Sequence, residues 1–209
     1  MKVIAVLNQK GGSGKTTIAT HLARALQLDG ADVLLVDSDP QGSARDWAAV
    51  REDQPLTVVG IDRPTIDRDV KNVARKVDFV VIDGAPQAAD LAVSAIKAAD
   101  FVLIPVQPSP YDIWAAQEVV EMVKIRQQLT EAPRAAFVIA RAIVGTQLAA
   151  DVQEALGGYG LPIFASRTYQ RVLYANAAAS GLSVLEADSS SAAADEIKAI
   201  LSELEGFCP

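Results

Sequence analysis

Short apolar runs alternate along this chain with longer stretches in which apolar positions recur every three or four residues. The runs are VIAVLN (3–8), DVLLVD (32–37), LTVVGI (56–61), DFVVID (78–83), DFVLIPV (100–106), AAFVIAR (135–141) and a shorter PIFA (162–165). Rich in β-branched residues and nearly uninterrupted by polar ones, the five longest suit strands buried on two sides. Helical spacing separates them, as in Ile18, Leu22, Ala25 and Leu26, or Val119, Val120, Val123 and Ile125. A last helix is expected to carry Ile197, Ile200, Leu201 and Leu204 on one stripe, with Asp195, Glu196, Glu203 and Glu205 largely elsewhere. SSSAAAD (189–195), the one low-complexity patch, reads as a loop running into that helix. The alternation predicts an α/β fold: a single domain over 1–209, with a mainly parallel sheet flanked by helices on both faces.

Bulk properties narrow the function. At 209 residues and 50% hydrophobic, the chain can bury one sizeable core. Its net charge of -7 repels polyanions overall, so any nucleic-acid contact must come from a local basic patch. One cysteine, Cys208, can form neither an internal disulfide nor a multi-cysteine metal or cluster site. The N-terminus lacks the basic, apolar and cleavage segments of a signal peptide, and no stretch reaches the ~18 apolar residues of a membrane span. A cytoplasmic location is expected.

The chemistry concentrates in NQKGGSGKTTIA (8–19), between the first strand and first helix. That context suits the phosphate-loop signature GxxxxGK[ST], although Gln9 stands where its first glycine would fall. Gly11, Gly12 and Gly14 let the backbone wrap phosphates, the helix N-terminus offers N–H groups, and Thr16 can place its hydroxyl on Mg²⁺. The expected nucleotide-contacting segment is Gln9, Lys10, Gly11, Gly12, Ser13, Gly14, Lys15, Thr16 and Thr17. Phosphate chemistry needs one lysine, Lys15, which leaves Lys10 unexplained. Asp37 and Asp39 close the second strand and Asp83 the fourth. Carboxylates at these strand ends can hold Mg²⁺ through water or orient an attacking water, although such residues also begin ordinary turns. An Asn/Thr-Lys-x-Asp element for guanine is missing from FVIARAIVG (137–145), which favours adenine. Arg141 and the proline-bracketed VQPSPYD (106–112), with Pro108, are candidates to pack on the base, or are ordinary loop chemistry. His21 reads as surface filler, and Trp47 and Trp114 as packing residues, Trp114 alternatively lining a dimer interface.

With KGGSGKT, VLLVDSDPQGSA, FVVIDGAP, VLIPVQPSPYD and RTYQRVLYANAAASGLSVLE in this order, the chain resembles the deviant Walker A, ParA-type partition ATPases of the P-loop NTPase class, and their short ParF-like branch. The likeness covers nearly the whole length. It implies weak ATP hydrolysis with Mg²⁺ as cofactor, in a homodimer that sandwiches ATP. In such a dimer Lys10 would cross the interface to the partner's phosphates, Lys15 would bind its own β- and γ-phosphates, and Asp39 would orient the water. Thr16 would ligate Mg²⁺, with Asp37 and Asp83 supporting the metal shell. DGAP departs from relatives with two adjacent prolines, and Ala140-Arg141 from the frequent Asn-Arg.

The resemblance also implies partners: non-specific DNA held by the ATP-bound dimer at the nucleoid, and a centromere-binding protein that stimulates hydrolysis. Two basic clusters could serve DNA. Arg63, Arg68, Lys71, Arg75 and Lys76 stand against Asp67 and Asp69, while Arg134, Arg141, Arg167 and Arg171 stand against Asp151 and Glu154. Arg167 and Arg171 are the named DNA candidates. A membrane-surface switch resembling MinD would need a basic amphipathic C-terminal helix, and here Lys198 is its one lysine among several acids, so no membrane partner is expected. A biosynthetic enzyme similar to the dethiobiotin-forming ligase is the remaining alternative.

Overall fold

The computed structural model describes residues 1–53, 55–145 and 148–207. Cys208 lies outside them. The chain opens with β1 (Lys2–Val6), α1 (Lys15–Leu28), β2 (Val33–Asp37), α2 (Ser43–Ala49) and β3 (Thr57–Gly60). It continues through α3 (Ile66–Val73), β4 (Phe79–Asp83), α4 (Ala89–Ala98), β5 (Phe101–Val106) and α5 (Pro110–Thr130). The last part holds β6 (Arg134–Ala142), α6 (Leu148–Gly157), β7 (Ile163–Tyr169), α7 (Val172–Ala179), α8 (Val184–Ala187) and α9 (Ala192–Phe207).

Seven strands form one sheet in the order β3-β2-β4-β1-β5-β6-β7, and every described pairing is parallel. Parallel strands need a crossover, and the helices supply it on both faces, as the alternation predicts. On one face α3, α4, α5 and α6 cover Val80, Ile82, Val102, Ile104 and Phe137. On the other α1, α8 and α9 cover Ile4, Val6, Leu35, Leu103 and Val138. The apolar runs are continuous because most strands are buried on both sides. The two edge strands are exceptions: β3, from LTVVGI, has residues half-buried or exposed, and β7 is mostly so. β7 runs four residues beyond PIFA, where register shifts against β6 let a more polar stretch keep pairing up to Tyr169.

Register decides where the chemistry stands. Asp37 and Asp83 are paired neighbours, and Asp83 is also level with Val6 on central β1. The glycine loop therefore leaves the middle of the sheet directly beside both strand-end carboxylates, at the carboxyl edge where ligands of open parallel sheets collect.

Candidate nucleotide site

Short polar ties hold the glycine loop. Asn8 donates from Nδ2 to the Pro105 carbonyl at 2.7 Å, and its Oδ1 accepts the Lys10 N–H at 2.9 Å. Gly12 and Gly14 take φ of 77° and 97°, which side chains rarely adopt, so glycine is required where the chain bends into α1. Gly14 caps α1 and leaves its first N–H groups aimed at the cavity. Gln107 braces the loop by donating to the Gly12 carbonyl. Gln9 and Ser13 are buried beneath the loop, with Gln9 Nε2 and Ser13 Oγ lacking partners.

Beside this loop lies a cavity of about 660 Å³. Gly11, Gly12, Gly14, Lys15, Thr16 and Thr17 form one wall, with Asp39 and Pro86 beside them. Ala140, Arg141, Thr168, Tyr169, Arg171 and Tyr174 form the other. Arg141 sits at φ 56°, a strained conformation for a side-chain-bearing residue, and its N–H donates to the buried Thr168 hydroxyl at 3.0 Å. Pro108, the other base candidate, does not line this cavity; its loop belongs to the bracing of the glycine loop.

The two lysines are treated differently. Lys15 is buried and folds back to donate to the Lys10 carbonyl at 2.9 Å. Burial lowers its pKa, against the pull of Asp83 and Asp39, so an anion entering the loop meets a poorly solvated cation. Lys10 is absent from the cavity wall and ion-paired with Asp112, whose carboxylate is buried in the first turn of α5 with Oδ1 left unpartnered.

The acids divide as well. Asp37 is fully buried, accepting the Asp39 N–H at 3.1 Å and the Arg45 N–H at 3.0 Å, with the Arg45 guanidinium at 3.4 Å. Expected to support a metal shell, it is engaged in shaping the loop that presents Asp39. Asp39 is half-buried on the cavity wall and accepts the Gln41 N–H at 2.9 Å. Asp83 is buried with neither oxygen in a well-formed hydrogen bond, the Thr16 hydroxyl being the side-chain donor nearest to it. Burial pushes its pKa up to about 7, with Asp37 adding to the rise and Thr16 and Lys15 opposing it. Such a carboxylate beside the Thr16 hydroxyl fits a divalent cation approached through water. Among the described residues no cluster of three or more His, Cys, Asp or Glu could cage a metal alone, which suits Mg²⁺, an ion that keeps its waters and shares phosphate oxygens.

Two readings of the sequence are corrected. His21 is not surface filler but 1% exposed, its Nδ1 2.6 Å from the Thr17 carbonyl and its ring edge-on to Tyr174. α7, α8 and α9 flank α1 on the same sheet face and Tyr174 of α7 covers His21, so a residue beside the apolar stripe is also buried. Trp47 is half-buried and donates to the Leu182 carbonyl at 3.2 Å, whereas Trp114 is 64% exposed, its ring against Tyr111 and not in a core. The second basic cluster loses one member, Arg134, while Arg141 and Arg171 share the cavity wall. Arg134 starts β6 and Arg141 lies seven residues further along it, toward the opposite sheet edge. Arg171 is tied to Glu196 at 2.5 Å and stacked over Tyr169, while Arg167 is half-buried and makes weak contacts to the Ala165 carbonyl. Gln107 and Asp112 lie in the VQPSPYD stretch without a role read from it, and Arg45 lies in no quoted motif. Only the fold shows what they touch.

A central phosphate loop, strand-end aspartates and a seven-stranded parallel sheet define a P-loop nucleotide-binding protein. Residues 4–184 match the CobQ/CobB/MinD/ParA nucleotide binding domain, and the chain belongs to that family, as a ParA-type member. It is 34% identical over 207 residues to the Maintenance of carboxysome distribution protein A of Halothiobacillus neapolitanus, covering 96% of this chain and 95% of that one. It is 34% identical over 139 residues to the chromosome-partitioning ATPase Soj of Thermus thermophilus, covering 52% and 55%. Apo McdA of Cyanothece shares the fold, with a TM-score of 0.83 at 18% identity over 98% of this chain and 99% of that one.

Proposed function

We propose that this chain is an ATP-driven positioning switch: two copies close on ATP, the closed dimer holds DNA without sequence preference, and a partner protein stimulates hydrolysis and release. The observation that carries this reading is Lys10. A loop that needs one lysine for its own phosphates carries a second that stays off its own cavity, on a face with exposed Tyr111 and Trp114. Lys10 is thus available to a second copy. Delivered across an interface, its cation would offset charge on the phosphoryl group in transfer, an effect of about 10³ to 10⁵ in rate for such residues.

In the same reading Lys15 and the Gly11–Thr16 amides grip the phosphates, and Asp39 orients the attacking water. Thr16 and, through water, Asp83 would hold Mg²⁺, which would supply charge neutralisation between phosphate oxygens. Arg141 and Tyr169 would border the adenine. The cargo is open between two relatives: the partitioning ATPase Soj favours a plasmid or chromosome with a centromere-binding partner, and the carboxysome-distribution protein, alignable from end to end, favours a protein assembly. The cytoplasm, at the nucleoid when ATP is bound, is the matching location; among the described residues no helix is long and apolar enough to cross a membrane.

The test uses Asp39→Ala, which should lower turnover by about 10² or more, the scale of a lost general base, while keeping ATP bound. Light scattering should then show a dimer with ATP and a monomer with ADP. A monomer under saturating ATP would end the proposal.

A further inference from the structure

Helix α3 and the turn that follows it present outward a row of cations that the nucleotide site does not use. Arg68, Lys71 and Arg75 follow at i, i+3 and i+7, opposite Ile66 and Val70, which are buried in the core. All three are exposed, as are Lys76 just beyond and Lys97 on neighbouring α4. Ser94 of α4 donates to Asp67 of α3 at 2.9 Å and ties the two helices together. Among the described residues none of these five cations is in an ion pair.

Most of the acids nearby accept hydrogen bonds within the fold, while Asp62 and, at the start of α4, Asp90 are exposed. Asp69 accepts from Thr65 at 2.6 Å and Arg63 at 2.9 Å, Asp78 takes the Asp32 N–H at 2.9 Å, and Asp100 takes the Val3 N–H at 2.8 Å. In a chain with 26 acidic and 19 basic residues, five exposed cations that stand outside any ion pair among the described residues concentrate positive charge on one face.

We propose that this α3–α4 face binds the phosphate backbone of duplex DNA. Arg68 and Lys71 are about 4.5 Å apart along the helix axis at about 1.5 Å per residue, and the turn carrying Arg75 and Lys76 continues the row, so the face can meet more than one phosphate of a strand at about 3.4 Å axial spacing. Its exposed arginine and lysine side chains can neutralise phosphates, contacts that position a duplex without carrying sequence information. An anionic membrane fits less well, because the apolar side of α3 faces inward and the large apolar residues offered outward are Val73 and, on α4, Val93. The inference rests on the dimer switch above: one face alone would hold DNA weakly, and a dimer carries two, so closure on ATP raises affinity through multivalency.

The experiment measures binding of the full-length chain with ATP to a fluorescent random duplex over a range of salt, for wild type, Lys71→Glu/Arg75→Glu, Lys71→Gln/Arg75→Gln and Arg167→Glu. The expected result is at least tenfold weaker binding for Lys71→Glu/Arg75→Glu, a smaller loss for Lys71→Gln/Arg75→Gln, and a salt slope shallower by about two per engaged copy. Basal ATP turnover and ATP-dependent dimer mass should match wild type, showing that the variants fold. If wild type binds and both double variants bind equally well, or Arg167→Glu alone abolishes binding, the α3–α4 assignment is overturned and the switch survives. If the wild-type dimer forms but binds no DNA, the DNA arm of the switch falls with it. Lys71/Arg75-dependent binding to phosphatidylserine vesicles or to an acidic peptide, with no DNA binding, would overturn the choice of DNA.

Discussion

Lys10 and Asp112 show how one residue can be legible while its state is not. The loop pattern marks Lys10 as surplus, but its partner lies 102 positions away at the start of another helix. Pairing to a buried carboxylate gives the lone copy a resting place for the cation, and reaching a second copy means breaking that pair. Leaving a buried charge unpaired is unfavourable, so in the proposed switch the pair would oppose dimer formation and ATP contacts would have to offset it. Lys10→Ala should therefore keep ATP binding but lose stimulated turnover by about 10³ or more. Asp112→Asn should instead raise the dimer fraction at limiting ATP, measured by light scattering. An unchanged fraction would show that the pair does not restrain closure.

At the level of elements, α1 and α8 make the fold sensitive to acid. Burial lowers the His21 pKa from 6.5 to about 4, despite the Thr17 carbonyl and Glu186 favouring the proton. Between those values the unfolded chain binds the proton and the folded chain does not, so stability is full above 6.5 and declines as pH falls toward 4. Glu186 extends the decline. Burial alone would raise its pKa, but Arg24, the Ser183 amide and Arg51 hold it down to about 2, so its contribution is lost as pH falls from 4.5 toward 2. Asp83 works in the opposite sense, because its raised pKa lets the fold gain stability as pH falls from about 7 toward 3.8. The test is therefore a difference: between pH 7 and 4 the denaturant midpoint of wild type should fall relative to that of His21→Gln. Most strands and helices are readable from periodicity because burial on two faces or one leaves a clear pattern. The edge position of β3 and the polar end of β7 are not, since hydrogen bonding to a neighbour can extend a strand without an apolar signal.

At the scale of the whole molecule, the proposed switch makes hydrolysis a property of pairs. Turnover per subunit should rise with protein concentration at saturating ATP and level off once the dimer is full, as mass action requires. A rate per subunit constant from dilute to concentrated protein would place all catalytic groups in one copy.

The alternation of apolar runs and helical stretches, the glycine loop and the strand-end aspartates all follow from local patterning, and with them the layered α/β fold and the nucleotide site at its carboxyl edge. Those features repeat within a few residues, so one-dimensional order is enough to reveal them. Tertiary structure alone decided which charges meet: that Asp37 holds Arg45, the Asp83 carboxylate lacks a well-formed hydrogen bond, Lys10 rests on Asp112, Arg171 is tied to Glu196 and the outward cations of α3 stand outside any ion pair among the described residues. Charge pairing depends on distances between segments far apart in the chain, and no local spacing encodes them.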